Sequence, residues 1–171
     1  MRRLERAFSL IELMIVLSLV AMLMTLSVAQ VSFFGRAYVR TELEKLQALC
    51  GYAQQKALMT NMAQTIVLDA TGTIHRYTFG AVGEQLPQSI RFGAPAEVKG
   101  PPATPTRFID SPITFKNAQI TFYPDGIISA GTVYLTDIDK KICYALTCGV
   151  GSVSFLRAYR YDKGWQLLSD G

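Results

Sequence analysis

The sequence predicts an α+β fold, with one long helix whose distal half packs on a small antiparallel sheet. Three observations predict it. No proline occurs before Pro87, so nothing breaks a helix over the first third of the chain. Apolar residues recur mostly at three- and four-residue steps up to about Thr60, and at two-residue steps beyond Asn61. Gly, Pro, Asn and Asp then punctuate a series of short runs, as turns punctuate strands.

Residues 1–7 read as a short basic leader, in which Arg2, Arg3 and Arg6 are opposed only by Glu5. The chain holds 17 Lys and Arg against 13 Asp and Glu, a formal net charge of +4. The leader supplies half of that excess. The basic balance is therefore partly a topology signal and poor evidence for nucleic acid binding. Positive residues ahead of an apolar span keep that end in the cytoplasm, so the rest is expected to be exported.

Residues 8–35 form the membrane and assembly half of the expected helix. From Leu13 to Gly35, 23 positions carry no charge. A helix of that length rises roughly 35 Å, enough to cross a hydrocarbon core. Leu10, Ile11, Leu13, Met14, Ile15, Val16 and Leu17 are apolar all round, as in a lipid-embedded or bundle-core helix. A secretory signal removed whole is the blander reading. The apolar run outlasts a usual signal, however, and no turn residue marks an exit from the membrane. A plain anchor would leave Glu12 without an explanation. It is the only charge between Phe8 and Gly35, and an ionisable group in lipid is costly without a partner or a task.

Residues 36–60 continue as an amphipathic helix. Val39, Leu43, Leu46, Leu49, Cys50, Ala53, Ala57 and Leu58 make its apolar stripe, and Arg, Lys, Glu and Gln fill the other positions. Residues 61–171 are the β-rich domain. Thr65 to Leu68 and His75 to Phe79 read as a hairpin about the Ala70–Thr73 turn. Ile90 to Phe92, Ile113 to Phe115 and Gln119 to Tyr123 look extended, and Pro124-Asp-Gly126 is a turn. Thr132 to Leu135, Lys141 to Leu146, Ser152 to Tyr161 and Trp165 to Leu168 complete the strands. Five prolines fall between Gly93 and Pro112, so that stretch reads as a long irregular loop with a function or mobility more than a place in the core. It is a candidate for partner contact.

Three cysteines leave at least one unpaired within the chain. Cys50 falls in the helical stripe and reads as a small buried hydrophobe. Cys143 and Cys148 can pair only if a turn lies between them, because five residues of one strand hold them too far apart. No cysteine pair has metal spacing, and His75 is the single histidine. No nucleophile with a base, no paired acids and no phosphate-cradling glycine loop is visible. The sequence therefore implies neither an enzyme nor a cofactor.

The run Ala7-Phe-Ser-Leu-Ile-Glu-Leu-Met-Ile-Val16 closely resembles the processing motif of type IV pilins and pseudopilins. The resemblance implies the pilin-like fold and cleavage at Ala7–Phe8 on the cytoplasmic side by a prepilin peptidase and N-methyltransferase. Phe8 would then be methylated. Glu12 becomes the fifth mature residue, where the family places its glutamate. Ala7 departs from the glycine the family prefers there. A carboxylate at Glu12 would pair with the amine of a neighbouring Phe8, or of its own, in an apolar filament core. A buried pair of that kind serves register more than stability.

Farther on, Ile120-Thr-Phe-Tyr-Pro-Asp-Gly126 and Ser129-Ala-Gly-Thr-Val-Tyr-Leu135 resemble a stretch of the H-type minor pseudopilins of type II secretion and of FimT-like minor pilins. The resemblance implies a periplasmic filament subunit in the inner membrane, with other major and minor pseudopilins and the inner-membrane assembly platform as partners. A FimT-like minor pilin, acting in pilus initiation or DNA uptake, is the alternative. In some competence-associated members of that family, basic residues of the last strands contact DNA. Here Arg157, Arg160 and Lys163 interleave with Tyr159 and Trp165, a pattern that can stack bases and meet phosphates. On a strand, however, Arg157 and Arg160 face opposite sides, and Asp162 and Asp170 dilute the charge. A solvated final hairpin is the simpler reading.

Overall fold

The computed structural model describes residues 9–101, 103–149 and 155–168, with side chains given for these apart from 25–34. The chain divides into two compact units, Met1–Arg36 and Ala37–Gly171. The helix α1, Leu10–Thr60, supplies the described part of the first unit and opens the second. Nine strands follow: β1 Gln64–Asp69, β2 Arg76–Phe79, β3 Val82–Gln85, β4 Ile90–Phe92, β5 Gln119–Phe122, β6 Gly131–Asp137, β7 Cys143–Cys148, β8 Leu156–Tyr161 and β9 Trp165–Leu167.

The strands form two sheets where the periodicity predicts one. The first has the order β3-β2-β1-β5, and the second β4-β6-β7-β8-β9. Every named pairing is antiparallel. The chain leaves the first sheet at β4, returns for β5, then completes the second. Strand periodicity sees which face of a strand is buried but not which neighbour it pairs with, so the division is silent in the sequence.

In the second unit the buried stripe of α1 is Val39, Leu43, Leu46, Cys50, Ala53 and Ala57. Its steps alternate between four and three residues, which keeps one narrow face on the sheets. Leu58, counted in the stripe by sequence, is exposed. Both sheets turn residues toward that stripe: Ile66, Leu68, Tyr77 and Phe79 from the first, Leu135, Tyr144, Leu146 and Ala158 from the second. These side chains make the main core.

A second, smaller core lies on the other face of the second sheet. Val98, Tyr134, Cys143 and Ala145 are its buried members, with Ala94, Ile109, Tyr159, Tyr161 and Trp165 packed against them. Val98, Ala94 and Ile109 belong to the 93–112 stretch. That stretch is therefore in part a cover for the sheet, which corrects the expectation of a loop kept out of the core. Lys99 and Phe108 pair across it as an antiparallel bridge, and Gly100 N–H donates to the Arg107 carbonyl at 2.9 Å. Prolines supplied the loop signal, and three separated apolar residues supplied the burial.

Cys143 and Cys148 lie at the two ends of one strand. Five residues of strand separate them by about 17 Å and send them to opposite faces. No turn lies between them, so they do not pair with each other. All three cysteines are buried. Strand β3 leaves no mark in the sequence because its four residues are exposed and it carries no apolar alternation.

Candidate assembly and contact surfaces

The chemistry at the start of α1 begins with Ser9. Leu13 N–H donates to the Ser9 carbonyl at 3.1 Å, and Ile11 N–H donates to Ser9 Oγ at 3.3 Å. Ser9 is thus the N-cap. Glu12 stands three residues later in the first turn, the spacing of a capping box, where a carboxylate also meets the positive end of the helix dipole. The Ser-x-x-Glu pattern is legible in the sequence and sets Glu12 beside the positive end of the helix.

From Leu10 to Met24 the first unit exposes twelve large apolar side chains, between 41% for Val20 and 75% for Leu10. A continuous apolar surface of that kind marks a place where lipid or protein is to be met. Among the described residues no helix is long and apolar enough to cross a membrane. The span expected over residues 8–35 runs into 25–34, whose side chains lie outside the described residues. Arg2, Arg3, Arg6, Ala7 and Phe8 also lie outside them.

The five residues of the tail pattern are spread over one hairpin. Arg157, Tyr159 and Arg160 sit on β8, Trp165 opens β9, and Lys163 lies in the turn at φ 58°. Trp165 is engaged internally. Its Nε1–H donates to the Lys99 carbonyl at 2.7 Å, and its ring meets Tyr161 edge-on at 5.3 Å. A Cβ on Gly100 would fall 2.4 Å from its Nε1, so the loop backbone lies directly on the indole. Arg160 donates to Gln166 Oε1 at 3.2 Å and meets Asp162 at 3.4 Å. The Arg157 guanidinium lies 4.3 Å over the Phe155 ring. Register alternation puts Arg157 with Tyr159 on one face of β8 and Arg160 on the other. The hairpin therefore presents no single face that holds both arginines and the indole.

An open trough of about 480 Å³ lies between α1 and the edge of the first sheet. Ala48, Leu49, Tyr52, Phe79 and Val82 line its apolar length, and Lys45, Tyr77 and Glu84 its polar end. The Tyr77 hydroxyl donates to Glu84 Oε2 at 2.5 Å. Burial, then the Glu84 carboxylate, push that hydroxyl well above the usual tyrosine range. It stays a neutral donor and fixes β3 to β2.

His75 links the two sheets. Its Nδ1 accepts from Phe92 N–H at 2.7 Å, and its ring stacks on Phe92 at 5.6 Å. Burial, then the Arg91 charge, hold its pKa below the ordinary histidine value. Among the described residues no group of His, Cys, Asp and Glu is placed to hold a metal ion.

Two family models match the chain. That of the prokaryotic N-terminal methylation motif covers residues 2–28, which takes in the leader, Ala7, Phe8 and Glu12. That of the type II transport protein GspH covers residues 42–152, more than half of the chain. No curated protein and no solved structure matches it.

Proposed function

The chain belongs to the GspH family of type II transport proteins, behind a prokaryotic N-terminal methylation motif, and we propose that it is a minor pseudopilin of a type II secretion system. The observation that carries this reading is one helix with two jobs. Its first part bears the methylation motif and an exposed apolar surface, and its second part is the spine of the GspH domain. A subunit so built is held by its helix and displays its domain. Its role is structural rather than catalytic.

In this reading Arg2, Arg3 and Arg6 keep the leader cytoplasmic, and the prepilin peptidase cuts Ala7–Phe8. Phe8 is methylated, and the apolar segment holds the subunit in the inner membrane until assembly. Glu12 then neutralises a Phe8 amine inside the filament. A lone carboxylate in that apolar surround would be strongly disfavoured. Other pseudopilins and the inner-membrane platform are the partners, and the filament supports export of folded proteins across the outer membrane.

The test is deletion of the gene and complementation in the native cell. Secreted proteins should accumulate in the periplasm on deletion and return to the medium with the wild-type gene. Glu12→Ala should insert in the membrane and carry methylated Phe8, yet enter filaments poorly. Normal secretion with lost surface pili would refute the secretion assignment in favour of a FimT-like minor pilin. An unprocessed Met1 end in the mass spectrum would sink the processing step.

A further inference from the structure

Filament assembly makes no use of the three buried thiols. Cys50 lies on α1 and is 0% exposed; Cys148 ends β7 at 4% and Cys143 begins it at 2%. Alternation along β7 turns Tyr144, Leu146 and Cys148 to the main core, and Cys143 and Ala145 to the smaller one. Cys50 and Cys148 therefore share one core, and Cys143 belongs to the other.

Two contacts tie the surroundings of Cys50 to those of Cys148 within that core. Gln54, one helical turn beyond Cys50, donates from Nε2 to the Gly126 carbonyl at 3.5 Å. Two residues along, the Ile128 carbonyl accepts from Cys148 Sγ at 3.9 Å.

We propose that Cys50 and Cys148 form an intrachain disulfide in the exported protein, joining α1 to β7 and leaving Cys143 as a thiol. The inference rests on the export reading, because disulfides persist in oxidising compartments. Two S–H bonds break and one S–S bond forms. The two electrons and two protons reduce the disulfide of a thiol–disulfide oxidoreductase of that compartment to its dithiol. Attack requires a thiolate. Burial, with a smaller contribution from Cys148, pushes the Cys50 thiol up to about 12. Both sulfurs are also closed off from any partner protein in the folded chain, so the bond forms while the chain folds, before α1 seats on the sheets. Closing it draws the two Cα atoms to within about 7 Å.

The test counts thiols in the full chain. Protein purified in detergent without reductant is denatured in an alkylating agent and weighed before and after reduction. One alkylated cysteine before reduction and three after are expected, with a linked peptide containing Cys50 and Cys148. A second sample is reduced and then reoxidised in a glutathione buffer. Three alkylated cysteines in both samples overturn the pairing, as does any linked peptide containing Cys143. One in the buffer but three in the purified protein supports the pairing and overturns the export reading instead. Cys143→Ser must keep the linked peptide, and Cys50→Ser must lose it.

Discussion

Single residues in this protein hold positions that their chemistry alone does not announce. Gly131 opens β6 under the Phe115 side chain. A Cβ there would lie 2.4 Å from the ring and 2.8 Å from the Phe115 backbone Cα. Because the backbone cannot step aside as a flexible side chain can, Gly131→Ala should destabilise the domain by about 1–3 kcal/mol. A lower urea midpoint with an unchanged m-value would show it, and an unchanged midpoint would refute the close packing. Glycines 83 and 93 meet only side-chain methyls at 3.2 and 3.4 Å, so alanine there should cost less.

His75 offers a second measurement at this scale. Its Nδ1 can accept from Phe92 only while unprotonated, and its pKa is held below 6.5. The unfolded chain therefore takes up the proton first as pH falls. The stability His75 contributes is full above about pH 6.5 and is lost as pH drops through the folded value. His75→Ala should lower stability by about 1 kcal/mol at pH 7.5 and flatten the decline between pH 7 and 5. A wild-type stability that does not change over that window would count against the bond.

At the scale of elements, the 93–112 stretch and the final hairpin form one assembly. Trp165 joins them through the Lys99 carbonyl, the Gly100 backbone and the Tyr134 and Tyr161 rings. Tyr134 is buried beneath, and its hydroxyl has no hydrogen-bond partner among the described residues, so burial holds it neutral. Trp165→Ala should release the stretch from the second sheet. We expect a loss of about 3 kcal/mol or more and faster amide exchange at Gly100 and Val98. Unchanged exchange there would mean that the stretch is held by Val98 and Ile109 alone. Lys116–Ala118, a single 3-10 turn before β5, has a different basis: Asn117 and Ala118 both adopt positive φ. The extended run read from Ile113 to Phe115 reduces to one bridge, Ile113 with Val133.

Across the whole molecule, the contrast lies within α1. From Val39 to Ala57 its apolar positions are covered by two sheets, and from Leu10 to Met24 they are not. That difference was legible in composition, because a helix apolar all round needs cover on every side and an amphipathic one needs it on one. Thus the residues before Arg36 announced an interaction surface, and those after it a domain. The hairpin of β1 and β2 and the strands β5 to β9 were legible too, from period-two alternation and the turns between them.

What the sequence determined by itself is local: helix against strand, the leader, the Ala7–Phe8 motif, the lone charge at Glu12. These follow from spacing along the chain, where neighbours are known. What the tertiary structure alone decided is which distant pieces meet. It split the strands into two sheets, laid part of the proline-rich stretch on the second and tied Trp165 into that cover. It also separated Cys143 from Cys148 and set Cys148 in one core with Cys50. Side-chain periodicity reports that a face is buried but carries no record of what buries it; packing between residues a hundred positions apart supplies that, and only the folded chain contains it.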